Sequence, residues 1–289
     1  IADATDAALL GALAIAGREE AERWRSERAH VTFVAMGRYG GRECSYASDA
    51  DVIALHEPVG GASDSEAAAS ATAIVNRVKK LLGSATSQLG IVVDLDLRPE
   101  GKNGPMSRTI ASHEEYAQRW ASTWERQAAV RARPIGSSDL DERARALFES
   151  MAYREVSESE VRDIRLLKAR MENERLPRGS EPARHVKLGP GGLSDVEWTI
   201  QLIQMRHGAR LPALRTSSTT RAIAVARDAG LLAAPDAEIL LSAWDLATRI
   251  RAGNTLATGR MSGVKLDVLP RDSAELSALA AILGYGSGG

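Results

Sequence analysis

The sequence predicts an α+β protein in which a first half mixing strands with helices is followed by a helical bundle. Three observations carry that reading. Strand-like runs, "VTFVAM" (31–36), "DVIAL" (51–55) and "IVVDLDLRP" (91–99), occur only before about residue 112. Beyond it every apolar pattern has helical spacing. With 289 residues, 44% hydrophobic and 26% charged, the chain has the make-up of a folded protein with room for two domains. The domains are expected at 1–135 and 136–289.

The elements follow in order. Residues 5–28 are rich in Ala, Glu and Arg, with Leu9, Leu10, Leu13 and Ile15 at helical spacing. After the strand 31–36 come a glycine-rich turn and a short polar helix (40–47), then the strand 51–55. The loop "EPVGGASDSE" leads to a helix over 66–88, with Ile74, Val78, Leu81 and Leu82 on one face. The run 91–99 alternates and closes at Pro99. Helices are then expected over 112–133, 138–151, 155–175, 193–208, 217–229 and 235–257, separated by Gly, Pro and Ser breakers. In 193–208 the residues Leu193, Val196, Ile200, Ile203 and His207 form the stripe, and Ser194 and Asp195 stand near its start.

Several function classes are excluded. Lys plus Arg (37) nearly balance Asp plus Glu (38), so no general affinity for nucleic acid is expected. The single Cys44 cannot form an intramolecular disulfide and fits a reducing compartment. No signal peptide or membrane-length apolar run is evident, so no membrane partner and a cytoplasmic location are expected. Opening at Ile1 and ending in "GYGSGG", the sequence reads as a piece of a longer polypeptide. His30, His56, His113, His185 and His207 lack metal-ligand spacing, which argues against a zinc site. "GRYGG" (37–41) follows a strand but is not G-x-G-x-x-G, and "GKN" (101–103) lacks the hydroxyl of a P-loop. Gly37, Gly40 and Gly41 therefore mark either a tight turn or a backbone that lets a phosphate come close.

The aspartates raise a sharper question. Asp49 and Asp51, two apart at the mouth of an apolar strand, project to one face. A solvent-facing cap accounts for a lone D-x-D equally well. Asp94 and Asp96, however, interrupt a further apolar strand that can lie beside the first. Three converging carboxylates repel one another unless a cation joins them, and hard oxygen ligands suit a Mg²⁺ that also holds a nucleotide's phosphates. Arg98, Lys102 and Arg108 follow in "LRPEGKNGPMSR" (97–108), where a polyphosphate would need cations; scattered surface charge is the plainer account. The basic end of "TWERQAAVRAR" (123–133), with Arg126, Arg131 and Arg133, reads as helical surface.

Five stretches, "GRYGGRE", "SDADVI", "DLDLRPEGKNGP", "TWERQAAVRARP" and "KLGPGGLSDVEW", occur in an order that resembles the glutamine synthetase adenylyltransferase family from about Phe33 to Leu240. That resemblance implies a nucleotidyltransferase domain of the DNA polymerase β type followed by a helical bundle. It also implies two such halves in one polypeptide, one attaching AMP to a tyrosine of glutamine synthetase and the other removing it by phosphorolysis. "TWERQA" is more like the adenylylating, C-terminal half, the removing half tending to have tyrosine where Gln127 stands.

Carried over by residue, the resemblance makes Asp49, Asp51 and Asp94 the catalytic, metal-binding carboxylates, with Mg²⁺ (or Mn²⁺) as cofactor and ATP as substrate. Many relatives have arginine in place of Asp96, which leaves Asp96 to share or tune the metal. Gly37, Arg38, Gly40, Gly41, Ser48, Arg98 and Lys102 are the expected nucleotide contacts. Segment 187–198 would sit where the bundle meets the catalytic domain, and Lys187 would serve that packing or face the substrate. Glutamine synthetase is the implied protein substrate, and a PII signal protein the implied partner of the longer enzyme. Two alternatives stay open: the phosphorolytic half, and a non-catalytic module that binds glutamine synthetase or PII.

Overall fold

A computed structural model of the chain describes residues 1–46, 48–83, 90–174, 176, 181–261, 263–271 and 274–286. The chain forms two compact units, Ile1–Cys44 with Asp49–Arg154, and Ser45–Ser48 with Glu155–Gly289.

In the first unit α1 (Ala2–Trp24) leads into β1 (Ala29–Ala35), the one-turn helix α2 (Gly37–Gly40), β2 (Ala50–Pro58) and α3 (Asp64–Leu82). Then come β3 (Val93–Asp94), β4 (Ser107–Thr109), α4 (Ile110–Arg119), α5 (Thr123–Ala129), β5 (Arg133–Pro134) and α6 (Asp139–Ala152). The sheet order is β3-β2-β1-β5, with β4 also pairing β2. β1 and β2 run antiparallel in the register Phe33↔Ala54 and Ala35↔Val52, whereas β3 and β4 run parallel to β2. Phe33, Ala35, Val52 and Ala54 share a core with Leu9, Ala12 and Ala16 of α1 and Ile74, Val75 and Val78 of α3. Thr32, of opposite parity, hydrogen-bonds Asp141 at the start of α6. Helices thus cover both faces, which is why both strands read as continuous apolar runs rather than alternating ones.

The α+β class is as expected, but several boundaries are not. The strand expected over 91–99 contracts to Val93–Asp94, because a turn closes at once through Arg98 N–H to Leu95 O and Gly101 N–H to Arg98 O. The polar helix expected at 40–47 is instead the turn at Gly37–Gly40. The helix expected over 112–133 breaks at Trp120–Ser122, where a capping box of Ser122 and Glu125 starts α5. The two-residue strand β5 follows, too short to leave a periodic signal. The first unit runs on to Arg154 rather than ending at residue 135, since α6 packs on β1. Residues 84–88 of the expected helix 66–88 lie outside the described residues.

The second unit is helical: α7 (Glu158–Glu174), α8 (Leu193–His207), α9 (Thr219–Asp228), α10 (Ala234–Thr258) and α11 (Ala274–Ile282), the last without a counterpart in the sequence reading. Leu193, Val196 and Ile200 of α8 meet Ile223 and Ala226 of α9 and Trp244 and Ala247 of α10. Buried amides fasten the connections, Gln204 donating to Leu214 O and Thr216 O, and Asn254 to Leu266 O and Val268 O. No helix among the described residues is long and apolar enough to cross a membrane.

Candidate active site

The parallel pairing of β2 with β3 sets Asp51 directly beside Asp94. Residues paired this way project to the same face, so two carboxylates stand side by side on the face opposite the α1–α3 core. Over them lies the turn that follows β1. Met36 N–H donates to Asp51 O at 2.8 Å. Gly37 has φ +52°, and a Cβ built on it would stand 3.1 Å from Asp51 Oδ2. Only glycine combines that backbone with that approach. Asp49 sits exposed at the mouth of β2. Ser48, grouped with the second unit, closes a turn with Ser45, whose N–H it accepts at 2.8 Å.

The resemblance takes Asp94 as the third carboxylate and leaves Asp96 to share or tune the metal; in the structure the two have different surroundings. Asp94 Oδ1 accepts the Asp96 N–H at 2.7 Å, so its Oδ2 is the oxygen available to an ion or a proton. Asp96 ion-pairs with Lys102 at 3.2 Å and lies 3.8 Å from Arg98. It belongs to the basic loop, where arginine in a relative would meet different partners.

Within that loop the two expected phosphate contacts differ. Arg98 donates to Leu95 O, Lys102 O and Gly104 O at 2.9 to 3.1 Å, with its side chain 11% exposed. Its guanidinium closes the loop. Lys102 is 80% exposed and free to swing toward a ligand on leaving Asp96. Arg108, paired with Glu100 and lying over the Tyr116 ring, anchors the far end of the loop.

Gly40 and Gly41 likewise serve the turn, their N–H groups donating to Met36 O and Gly37 O. A Cβ on Gly40 would meet Arg131 O at 1.9 Å. Arg38 donates through Nε and Nη2 to Glu43 O.

The arginines expected on a helical surface are buried: Arg126 is 2% and Arg131 3% exposed. Arg126 donates to Met151 O and Arg154 O. Arg131 donates through Nε to Gly37 O at 3.1 Å and pairs through Nη2 with Glu43. Arg133 reaches Gly40 O and forks onto Asp6, which also accepts the Tyr39 hydroxyl. Sequence reasoning does not mark Glu43, and it reads Arg131 and Arg133 as helical surface. The available signal was the alternation in "AVRARP", which runs into β5 rather than along a helix. Burial and Asp6 push the Tyr39 hydroxyl well above its usual range, so it stays a donor.

A divalent ion fits the paired carboxylates by donor chemistry, both being hard oxygen ligands, and by the glycine cradle that keeps a Cβ off Asp51 Oδ2. Among the described residues, no three His, Cys, Asp or Glu side chains are already gathered as a ligand set. The backbone register supplies the pair Asp51 and Asp94.

The family described as glutamate-ammonia ligase adenylyltransferase matches residues 1–148, and the family described as GlnD PII-uridylyltransferase matches residues 165–289. Proteins named bifunctional glutamine synthetase adenylyltransferase/adenylyl-removing enzyme match nearly the whole chain. That of Streptomyces coelicolor is 44% identical over 100% of this chain and 28% of its own length. That of Bifidobacterium longum subsp. infantis is 47% identical over 90% and 24%, and that of Mycolicibacterium smegmatis 42% over 90% and 26%. The chain spans about a quarter of the length of these relatives.

Proposed function

Starting from a chain that belongs to the glutamate–ammonia ligase adenylyltransferase family, we propose that it transfers AMP from ATP to a tyrosine of glutamine synthetase. The observation that carries the proposal is the in-register pair Asp51 and Asp94 beneath the Gly37 turn. The domain is read as a nucleotidyltransferase of the polymerase β type, and Asp49 as the third carboxylate, completing the site once a cation offsets the mutual repulsion.

Asp49, Asp51 and Asp94 would hold Mg²⁺ or Mn²⁺, which when bound neutralises the triphosphate and the leaving pyrophosphate. Lys102 would leave Asp96 for the phosphates, while Arg98 keeps the loop in the shape that presents it. The incoming hydroxyl would lose its proton toward Asp94 Oδ2, the other oxygen being fixed by Asp96 N–H. The tyrosine oxygen then bonds to the α-phosphorus as the bond to pyrophosphate breaks.

The adenylylating direction rests on "TWERQA", and adenylyl removal, also in the relatives' name, is the second reading. A PII signal protein is proposed as a partner of the longer polypeptide, on the match of residues 165–289 to a PII-uridylyltransferase family. ATP labelled in the α-phosphate, with Mg²⁺ and unmodified glutamine synthetase, tests the direction. Label on a tyrosine supports transfer. Release of ADP from modified glutamine synthetase and phosphate, without forward labelling, reverses it.

A further inference from the structure

A buried arginine from far along the chain touches the glycine turn, and its placement suggests more than packing. Arg131 lies between α5 and β5, with its side chain 3% exposed. Two N–H groups on one edge of its planar guanidinium are both committed, Nε to Gly37 O and Nη2 to the Glu43 carboxylate. Glu43 is 11% exposed and its backbone carbonyl takes Arg38 Nε and Nη2. Segment 37–43 is therefore held at its start by Arg131 and at its end by Glu43, with Arg131 joined to both. The Arg131 backbone packs closely on the same segment, its carbonyl oxygen standing 1.9 Å from where a Cβ on Gly40 would be.

This clamp bears on the carboxylates because Gly37 borders Asp51: a Cβ on it would stand 3.1 Å from Asp51 Oδ2, and Met36 N–H just before it donates to Asp51 O. Where the turn stands therefore sets the space open to the Asp51 carboxylate beside Asp94. Groups that orient ligands from behind commonly change metal affinity by about 10- to 100-fold when altered. We propose that Arg131 is a positioning residue: oriented by Glu43, it holds Gly37 against Asp51 and so fixes the direction in which the Asp51 carboxylate faces Asp94. The inference rests on the reading of these aspartates as an ion-binding pair. It assigns Arg131 no contact with substrate.

Arg131→Lys keeps the charge but loses the fork, since one ammonium cannot serve Gly37 O and Glu43 in the same geometry. Glu43→Gln keeps the shape and removes the orienting charge. Arg126→Lys is the control, an equally buried arginine in the same stretch bonded to Met151 O and Arg154 O instead. The measurement is the rise in melting temperature with Mn²⁺ alone, followed as the Mn²⁺ concentration that gives half the rise, beside the ion-free melting temperature. Arg131→Lys should need roughly tenfold more Mn²⁺ than wild type. Glu43→Gln should move the same way by less, and keeps the test alive should Arg131→Lys not fold. Arg126→Lys should lose stability without moving the half-point. A half-point within twofold of wild type in both clamp variants, or an equal shift in Arg126→Lys, overturns the positioning role. A wild type whose melting temperature ignores Mn²⁺ overturns it together with the ion-binding pair. A wild type that responds to Mn²⁺ but transfers no AMP sinks the transfer reading alone.

Discussion

Two glycine-bearing, arginine-bearing segments frame the paired aspartates; each is closed by an arginine of its own, Arg38 or Arg98, but only the first is also tied to remote sequence. The turn after β1, residues 37–43, is held by arginines from remote sequence: Arg131 is 94 residues from Gly37 and Arg133 is 93 from Gly40. The loop after β3, residues 95–104, is held from within, Arg98 reaching carbonyls three to six residues away. A remotely clamped segment can hold a carboxylate still, because its geometry is inherited from the whole sheet. A self-closed loop keeps its shape but can move as a body, which suits a segment carrying the exposed Lys102.

The largest effect should come at the carboxylate the turn rests on. We expect Asp51→Asn to reduce AMP transfer about a thousandfold or more, several kcal/mol at roughly 1.4 kcal/mol per tenfold. Without ions the variant should stay folded, because the amide keeps the shape of the side chain and removes a like charge beside Asp94. With Mg²⁺ and ATP wild type should gain stability by linkage and the variant much less. A variant that unfolds without any ion present would make Asp51 structural, and the comparison would lose its centre.

Alanine at one glycine of each segment then tests the difference in rigidity. A Cβ on Gly40 would stand 1.9 Å from Arg131 O and 2.7 Å from Ala35 O, both backbone atoms that cannot step aside. Gly40→Ala should cost about 3 kcal/mol in denaturant unfolding. Gly101 has φ +56° but its nearest contact would be Asp96 O at 3.8 Å, so Gly101→Ala should cost only about 1 kcal/mol. Equal losses would show the two segments to be alike in rigidity.

How much of this was legible follows from the range of each interaction. Asp51 and Asp94 could be read together because strand alternation fixes a face and the topology admits few neighbours for a short strand. The two-residue span of β3 and the very existence of β5 could not, since neither is long enough to show a period. Arg131 was misread as surface because its partners, Gly37 and Glu43, are remote and one of them is a carbonyl that no sequence pattern marks. Arg98 misled in the other direction. Its place in a basic loop suggested a phosphate, whereas its donors are taken by the loop's own backbone.

Arg98→Gln should lower both stability and ATP affinity, by about 2 kcal/mol of lost charge-assisted hydrogen bonding to the loop carbonyls. Lys102→Gln should weaken ATP binding by about 1.5 kcal/mol and leave the melting temperature within a degree or so, because an exposed ion pair adds little. Isothermal titration beside thermal melts reads both. Unchanged nucleotide affinity in Lys102→Gln would reduce it to ordinary surface charge.

The smallest effect separates the two segments by pH. No histidine lies in the turn, but the loop's far anchor, Arg108, stands next to His113 on α4. His113 is 1% exposed against the Phe148 ring, and burial, helped by the Arg108 charge, pushes it down to about 4. His56, buried on Ser107 of β4, is lowered by burial as well. A histidine held neutral in the fold takes up its proton only on unfolding. Above about pH 6.5 both states are neutral and it contributes nothing; as pH falls below that, the unfolded state is favoured. Stability should therefore drop by about 1 kcal/mol between pH 7 and 5.5 on account of His113. His113→Leu, which also removes a buried Nδ1 without a hydrogen-bond partner, should flatten that slope. The loss of stability should be local to the loop side: hydrogen exchange at pH 5.5 is expected to quicken in β4 and α4 before it does in residues 37–43. Equal quickening in both segments would mean that they open as one unit, and the contrast between a remotely clamped turn and a self-closed loop would not extend to their stability.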